Sequence, residues 1–218
     1  MKADFMNMIE TFNENNFEFY CNHLAKQDDD LKLIIDTHGY PPLFMRSPTF
    51  ETLLHIILEQ QVSLASAKAA LHKLKEKIGI VLPEKLLLLS DIELRACYFS
   101  RQKIGYVKDL ANAIINKQLN LNELMQSPDE TVRSDLKKIK GIGDWTTDVY
   151  MMMALQRINL FPVGDIALVN SMKTIKALPK QTGKETLLLM AEKWKPYKTV
   201  AAFILWHAYI KKKEIKLY

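Results

Sequence analysis

Two groups of residues in this chain have the types and spacing that do chemistry. The first is Leu136-Lys-Lys-Ile-Lys-Gly-Ile-Gly-Asp-Trp-Thr-Thr147. Gly141 and Gly143 flank one aliphatic residue, so the backbone there can turn more tightly than side chains at both positions would allow. A helical pattern runs into this turn and another starts directly after it, leaving bare backbone N–H groups at the start of the second helix. Such groups, with the helix dipole behind them, bind phosphate, and Lys137, Lys138 and Lys140 add positive charge beside them. The second group is the loop Phe161-Pro-Val-Gly-Asp165, whose Asp165 precedes an apolar run. An Asp in that place commonly caps a helix. Fixed in a low-dielectric cleft, the same carboxylate stabilises positive charge developing on a reacting group, or orients and deprotonates a water.

A chain of 218 residues suffices for one large domain or two small lobes with a core. With 48% hydrophobic residues and few Gly and Pro it is globular and not disordered. The net charge of +5 decides little, but its distribution does: residues 1–47 carry four Lys/Arg against eight Asp/Glu, and residues 176–218 carry ten Lys against three Glu. A polyanion is expected to meet the C-terminal part; the plainer reading is lysines that solvate helix faces. Two isolated cysteines, Cys21 and Cys97, fit a reduced intracellular protein. His23, His38, His55, His72 and His207 have no metal-ligand spacing. Polar and acidic residues after Met1-Lys2 predict no signal peptide. The run Ala201 to Trp206 is too short to span a bilayer. The expected location is therefore intracellular, cytoplasmic (nucleoid) or nuclear, with no membrane partner.

Nearly every segment that must position these groups carries the 3.6-residue period. Residues 1–21 read as an N-terminal appendage packing Phe5, Phe12, Phe17 and Phe19 on the domain. Helices follow at His23–Lys26 and Asp28–Thr37, ended by Gly39-Tyr40-Pro41-Pro42. Ser47-Pro48 predicts the start of a largely buried helix with Leu53, Ile56, Ile57 and Gln60 on one face. Gln60-Gln61-Val62-Ser63 interrupts the apolar pattern before a helix over Leu64–Ile78. Capping boxes are predicted at Ser90–Glu93, Ser127–Glu130 and Thr182–Glu185. Further helices are expected from Ser100 to Lys117 and Trp145 to Gln156, then over Ile166–Ala177, Lys184–Trp194 and Tyr197–Lys213. No alternating β pattern, internal repeat or low-complexity segment is present. The fold class is all-α, with ten or so helices.

Leu136–Thr147 resembles the L-x-x-I-x-G-I-G-x-W-T helix-hairpin-helix of the HhH-GPD DNA base-excision glycosylases, in which an essential Asp follows the hairpin by about twenty residues, as Asp165 follows Trp145. The resemblance covers roughly residues 22 to 210 and is closest to the 3-methyladenine DNA glycosylase II (alkylbase DNA glycosylase) family. It implies a two-lobed helical domain over 22–218 with the cleft between the lobes. Lobe one would span about 50–135, and lobe two would join 22–49 to 136–218, including the hairpin 136–147.

The same resemblance implies the site. Asp165 is the catalytic carboxylate. Trp145 and Trp206 are expected in the base pocket, since a flat cationic base is drawn to aromatic faces by about 0.5–2 kcal/mol each. Val149 and His207 occupy pocket positions where some relatives have Tyr. Lys140, Gly141, Ile142, Gly143 and Thr146 of the hairpin are expected to bind DNA, with Gln61 as the candidate wedge, Ser63 beside it, and Lys198 where Arg is usual. Trp194 reads better as a core residue. Backbone carbonyls of Lys137, Ile139 and Ile142 correspond to a hairpin site for a Na or K ion. No cofactor is otherwise required, and two cysteines leave no four-cysteine iron–sulfur cluster. Trp145 stands where strand-cleaving relatives place a nucleophilic Lys. The implied enzyme is thus a monomeric, monofunctional hydrolase of alkylated purines flipped from double-stranded DNA. Two alternatives stay open: a glycosylase for uracil, hypoxanthine or oxidised guanine, and a non-catalytic hairpin module that only grips DNA.

Overall fold

The structure is a computed structural model and describes residues 10–215. Among them are thirteen α-helices, one 3-10 turn and no sheet; the single extended pairing is an isolated bridge between Thr11 and Arg157. The all-α expectation therefore holds. In chain order the helices are α1 (Phe17–Gln27), α2 (Asp29–His38), α3 (Phe50–Glu59), α4 (Leu64–Ile78), α5 (Pro83–Leu87), α6 (Asp91–Ala96) and α7 (Arg101–Ile115). They continue as α8 (Leu121–Gln126), α9 (Asp129–Lys137), α10 (Asp144–Met153), α11 (Ile166–Ile175), α12 (Lys184–Ala191) and α13 (Lys198–Lys212), with the 3-10 turn at Glu192–Trp194. Internal contacts divide the described residues into two units, Arg46–Leu155 and Glu10–Met45 with residues 156–215.

In the Arg46–Leu155 unit, α3 is the core helix. Phe50, Thr52, Leu53, Leu54, Ile56, Ile57 and Leu58 are all buried, the pattern of a helix covered on every side. It packs on α4, α7 and α10, while α7 also carries α5 and α6, and α9 packs on α10. Each fully buried Leu or Ile contributes about 1.5–3 kcal/mol through lost water contact.

In the other unit α13 has the same part. Thr199 through Ala208 are buried without interruption, and the helix packs on α1, α2, α11 and the 3-10 turn. Asp28 is the polar hub of this unit. It caps α2 by accepting from Asp30 N and Leu31 N. It also takes Lys176 Nζ at 2.6 Å and Trp194 Nε1 at 2.8 Å, so the end of α11 and the 3-10 turn are tied to the start of α2. Burial pushes the Asp28 carboxyl up, but these donors outweigh it and hold it below the usual range.

Several local expectations need correction. Helix α1 begins at Phe17, well before His23, because Phe17, Cys21 and Leu24 share its buried face. The expected appendage 1–21 thus contains helix; Phe12 and Phe17 are buried, Phe19 is exposed, and Phe5 lies outside the described residues. The cap of α3 is Thr49, which accepts from Thr52 N, not Ser47. The Ser90–Glu93 capping box forms with both reciprocal bonds. The other two do not. Ser127 Oγ donates back to Glu123 O and leaves the cap position of α9 to Pro128. Thr182 Oγ1 donates to Pro179 O, and Gly183 occupies the cap of α12. The hairpin, expected with the second lobe, falls in the Arg46–Leu155 unit, and the division lies after Leu155 and not near residue 135.

Candidate active site

The hairpin turn runs between α9 and α10. Gly141 has φ +90°, a left-handed conformation that L side chains rarely adopt. A Cβ there would lie 2.1 Å from Tyr106 Cγ, so the ring of Tyr106, on α7, lies directly against the glycine. Gln60, the residue after α3, meets the turn through its side-chain amide: Nε2 donates to Gly141 O at 2.8 Å and to Thr146 Oγ1 at 2.8 Å. Thr146, expected among the DNA-binding residues, is buried, and its hydroxyl accepts from Gln60. The cap of α10 is Gly143, which makes no side-chain bond to the first-turn N–H groups. That is the arrangement in which a helix start accepts an outside anion.

The hairpin lysines are less free than their number implies. Lys137 Nζ donates to Asp144 Oδ1 at 2.7 Å, and Lys138 Nζ to Asp135 Oδ1 at 2.7 Å. The Lys137 hydrogen bond holds the Asp144 carboxyl below its usual range. Lys140 is exposed and has no ion pair among the described residues, so it is the hairpin cation available to a phosphate. Gly143 is exposed too, whereas Ile142 is buried. Arg133 on α9 joins Asp148 on α10 at 2.5 Å, bracing the two hairpin helices.

Gln61, the candidate wedge, is exposed and has φ +57°. A non-glycine residue held in that region commonly costs about 1–3 kcal/mol and marks a constrained site. Ser63 caps α4, accepting from Ser66 N at 3.2 Å. Lys103 Nζ donates to Leu58 O at 2.6 Å, capping the C-terminal turn of α3 just before the loop. Burial draws the Lys103 ammonium below its usual range. Trp145 is half-buried in the first turn of α10, and Val149 is buried one turn further on.

In the other unit, Asp165 is both an N-cap and an indole acceptor. Its Oδ1 accepts from Leu168 N at 2.8 Å and from Trp206 Nε1 at 3.0 Å. The expected catalytic carboxylate and one expected pocket tryptophan are thus brought together. Asp165 N donates to Pro162 O at 2.8 Å, closing the loop behind the carboxylate. Thr199 anchors the segment before that loop: its Oγ1 donates to Arg157 O at 2.6 Å and accepts from Leu160 N at 3.0 Å. Ser171 Oγ to Leu205 O, 2.6 Å, fixes α11 on α13. Trp206 stacks on Phe203, with centroids 5.6 Å apart, and meets the edge of Phe44.

Other expected residues are committed differently. His207 Nε2 bonds to His38 O at 3.1 Å, and its burial draws the imidazole below its ordinary value, so its polar atom has an internal partner. Lys198 pairs with Glu192 at 2.9 Å and is largely covered. Trp194 is buried at 1% exposure, as read for a core residue. Sequence reasoning missed Gln60, Lys103, Tyr106 and Thr199 as supports of the site. One local signal was Gln60, a polar residue on the apolar face of α3.

A family model described as HhH-GPD superfamily base excision DNA repair protein matches residues 54–196. The solved structure of the Schizosaccharomyces pombe 3-methyladenine DNA glycosylase Mag1 in complex with abasic DNA is similar at 27% identity, covering 92% of this chain and 98% of that one, with a TM-score of 0.81. A DNA-3-methyladenine glycosidase from Bacillus halodurans is 32% identical, covering 89% of this chain and 91% of that one, with a TM-score of 0.72. A Clostridium acetobutylicum 8-oxoguanine glycosylase/lyase bound to DNA, 20% identical over 94% of this chain and 78% of that one at TM-score 0.76, shares the fold. The chain belongs to the HhH-GPD superfamily of base excision DNA repair proteins, and by family and fold it is a DNA glycosylase.

Proposed function

We propose that this glycosylase is monofunctional and hydrolyses the N-glycosidic bond of alkylated purines, of the 3-methyladenine and 7-methylguanine type, flipped out of double-stranded DNA. The observation that carries the reading is Asp165, whose Oδ1 is fixed by the Leu168 N–H and the Trp206 indole. Departure of the base leaves oxocarbenium-like charge on the deoxyribose. A carboxylate whose direction is already set stabilises that charge without reorganising at the moment of reaction, and it can take a proton from the attacking water. An alkylated purine is itself cationic and leaves as a neutral base, so no strong general acid is needed. The mechanism then requires one carboxylate and aromatic faces. The low identity of the 8-oxoguanine enzyme carries fold and not substrate, whereas both 3-methyladenine enzymes are the more similar in sequence.

Strand cleavage by these enzymes needs an amine to form a Schiff base with the sugar. Trp145 stands at that place, and an indole N–H cannot form one. The bound strand would meet the α10 N-terminus and Lys140, giving salt-sensitive affinity. The carbonyls of Lys137, Ile139 and Ile142 would hold a Na or K ion if the hairpin takes one as the resemblance implies; the Ile139 carbonyl also accepts Ile142 N at 3.1 Å. Such an ion would supply positive charge beside the phosphate.

The test is Asp165→Asn on a panel of single-lesion duplexes carrying alkylated purines, hypoxanthine, uracil or 8-oxoguanine. The wild type is expected to release alkylated purines and to form no adduct under borohydride. In the variant, release falls by orders of magnitude while DNA affinity holds. Parallel loss of release and affinity would favour a binding module; a borohydride adduct would refute the monofunctional reading.

A further inference from the structure

Within the Arg46–Leu155 unit, the loop that carries the candidate wedge and the turn that grips phosphate are joined by one side chain. Helix α3 ends at Glu59; Gln60 leaves it with ψ 123°, and Gln61 follows at φ +57°, pointing its residue into solvent as an exposed side chain. A free loop of that kind would wander. Here it is held at two places. Lys103 Nζ donates to Leu58 O, and the Gln60 amide donates to the hairpin, at Gly141 O and Thr146 Oγ1. Both acceptors are special. Gly141 is the left-handed residue of the turn, with the Tyr106 ring directly against it. Thr146 belongs to the first turn of α10, the end expected to face phosphate.

We propose that Gln60 is a positioning residue that keeps Gln61 at a fixed offset from the phosphate-binding turn, so that gripping the strand and filling the vacated stack occur as one rigid step. This rests on the glycosylase reading above. The physical gain is pre-organisation. A wedge must reach a gap whose place is set by the neighbouring phosphates, and a loop already tied to the phosphate grip loses less freedom on entry. The benefit is confined to substrates that must be unstacked. A lesion with no partner base, or one already looped out, needs little help.

The experiment compares wild type with Gln60→Met, which keeps the chain length and removes both donors. Two readouts are taken. One is fluorescence of 2-aminopurine in a duplex, which rises on extrusion and needs no bond cleavage. The other is base release from a lesion in a full duplex against the same lesion in a bulge. Gln60→Met is expected to lower extrusion and full-duplex release by roughly tenfold, the effect of losing about one to two hydrogen bonds, with less than about twofold change on the bulge. Thr146→Val, which removes one of the two acceptors, should fall between. Thermal melting of each variant separates misfolding from lost positioning. Equal losses on both substrates, or unchanged extrusion in folded variants, would overturn the coupling and leave the glycosylase reading intact. Absence of any base release by the wild type would instead sink the glycosylase reading, while the extrusion signal would still decide for or against Gln60.

Discussion

Gly141→Ala isolates the contact on which the hairpin turn depends. Two costs can be worked from the structure. The residue sits at φ +90°, and a Cβ in the left-handed region costs about 1–2 kcal/mol. The new methyl would also lie 2.1 Å from Tyr106 Cγ and 2.4–2.5 Å from the two Cδ atoms. To reach ordinary contact at 3.4 Å the ring must retreat about 1.3 Å. Tyr106 is on α7, which packs on α3, α5 and α6, so the retreat is resisted and adds about 1–3 kcal/mol of overpacking. The total is about 2–5 kcal/mol, measurable by urea unfolding with the midpoint moved and the slope unchanged. In a chain of this size that lowers the melting temperature by about 4–20 °C. Tyr106→Ala made in the Gly141→Ala background removes the overlap and keeps the backbone cost. The two substitutions should therefore be non-additive by about 1–3 kcal/mol. A Gly141→Ala protein within about 0.5 kcal/mol of wild type, or strict additivity in the pair, would refute the stated contact.

Two further expectations concern the fold and its response to pH. Asp28→Asn keeps an acceptor for the α2 cap but removes the charge facing Lys176, leaving that covered ammonium with Asp30 alone; it should cost about 2–4 kcal/mol in urea unfolding. Because the Asp28 carboxyl is held below its usual range, its contribution is present above the unfolded value near pH 4 and lost as pH falls through the folded one. Burial itself draws His55 and His207 below their ordinary value. The unfolded chain then binds more protons than the folded one, so stability should drop as pH falls from about 6.5 toward the folded values. Unfolding measured between pH 7 and pH 5 checks this; a His55→Gln, His207→Gln double variant should flatten the slope across that range, and an unchanged slope would be contrary.

The features legible in the sequence are those set by neighbours in the chain. The 3.6 period of α3, α7 and α13 announces buried helices, and Gly141-Ile142-Gly143 announces a tight turn whatever surrounds it. Ser90 and Glu93 complete their box because both partners lie within one turn. Ser127 and Thr182 carry equally good local patterns, yet each hydroxyl finds a carbonyl on the preceding turn, a competition between acceptors that spacing does not resolve. The supports of the site were out of reach for a different reason. Gln60 meets residues 81 and 86 positions away, and Lys103 a carbonyl 45 positions away. Asp165 lay between these cases. The pattern offers both an N-cap and a candidate carboxylate, and only the fold shows that Trp206 shares the oxygen that caps α11.

The division of the chain bears on its biosynthesis. Helices α1 and α2 are synthesised well before α13, against which both pack. At translation speeds of 5–20 residues per second, the intervening stretch of about 150 residues takes roughly 8–30 s. Throughout that interval α1 and α2 can pack on each other but lack the α13 face against which both finally rest. Helices α1 and α2 are therefore expected to expose apolar surface to chaperones until α13 has been made.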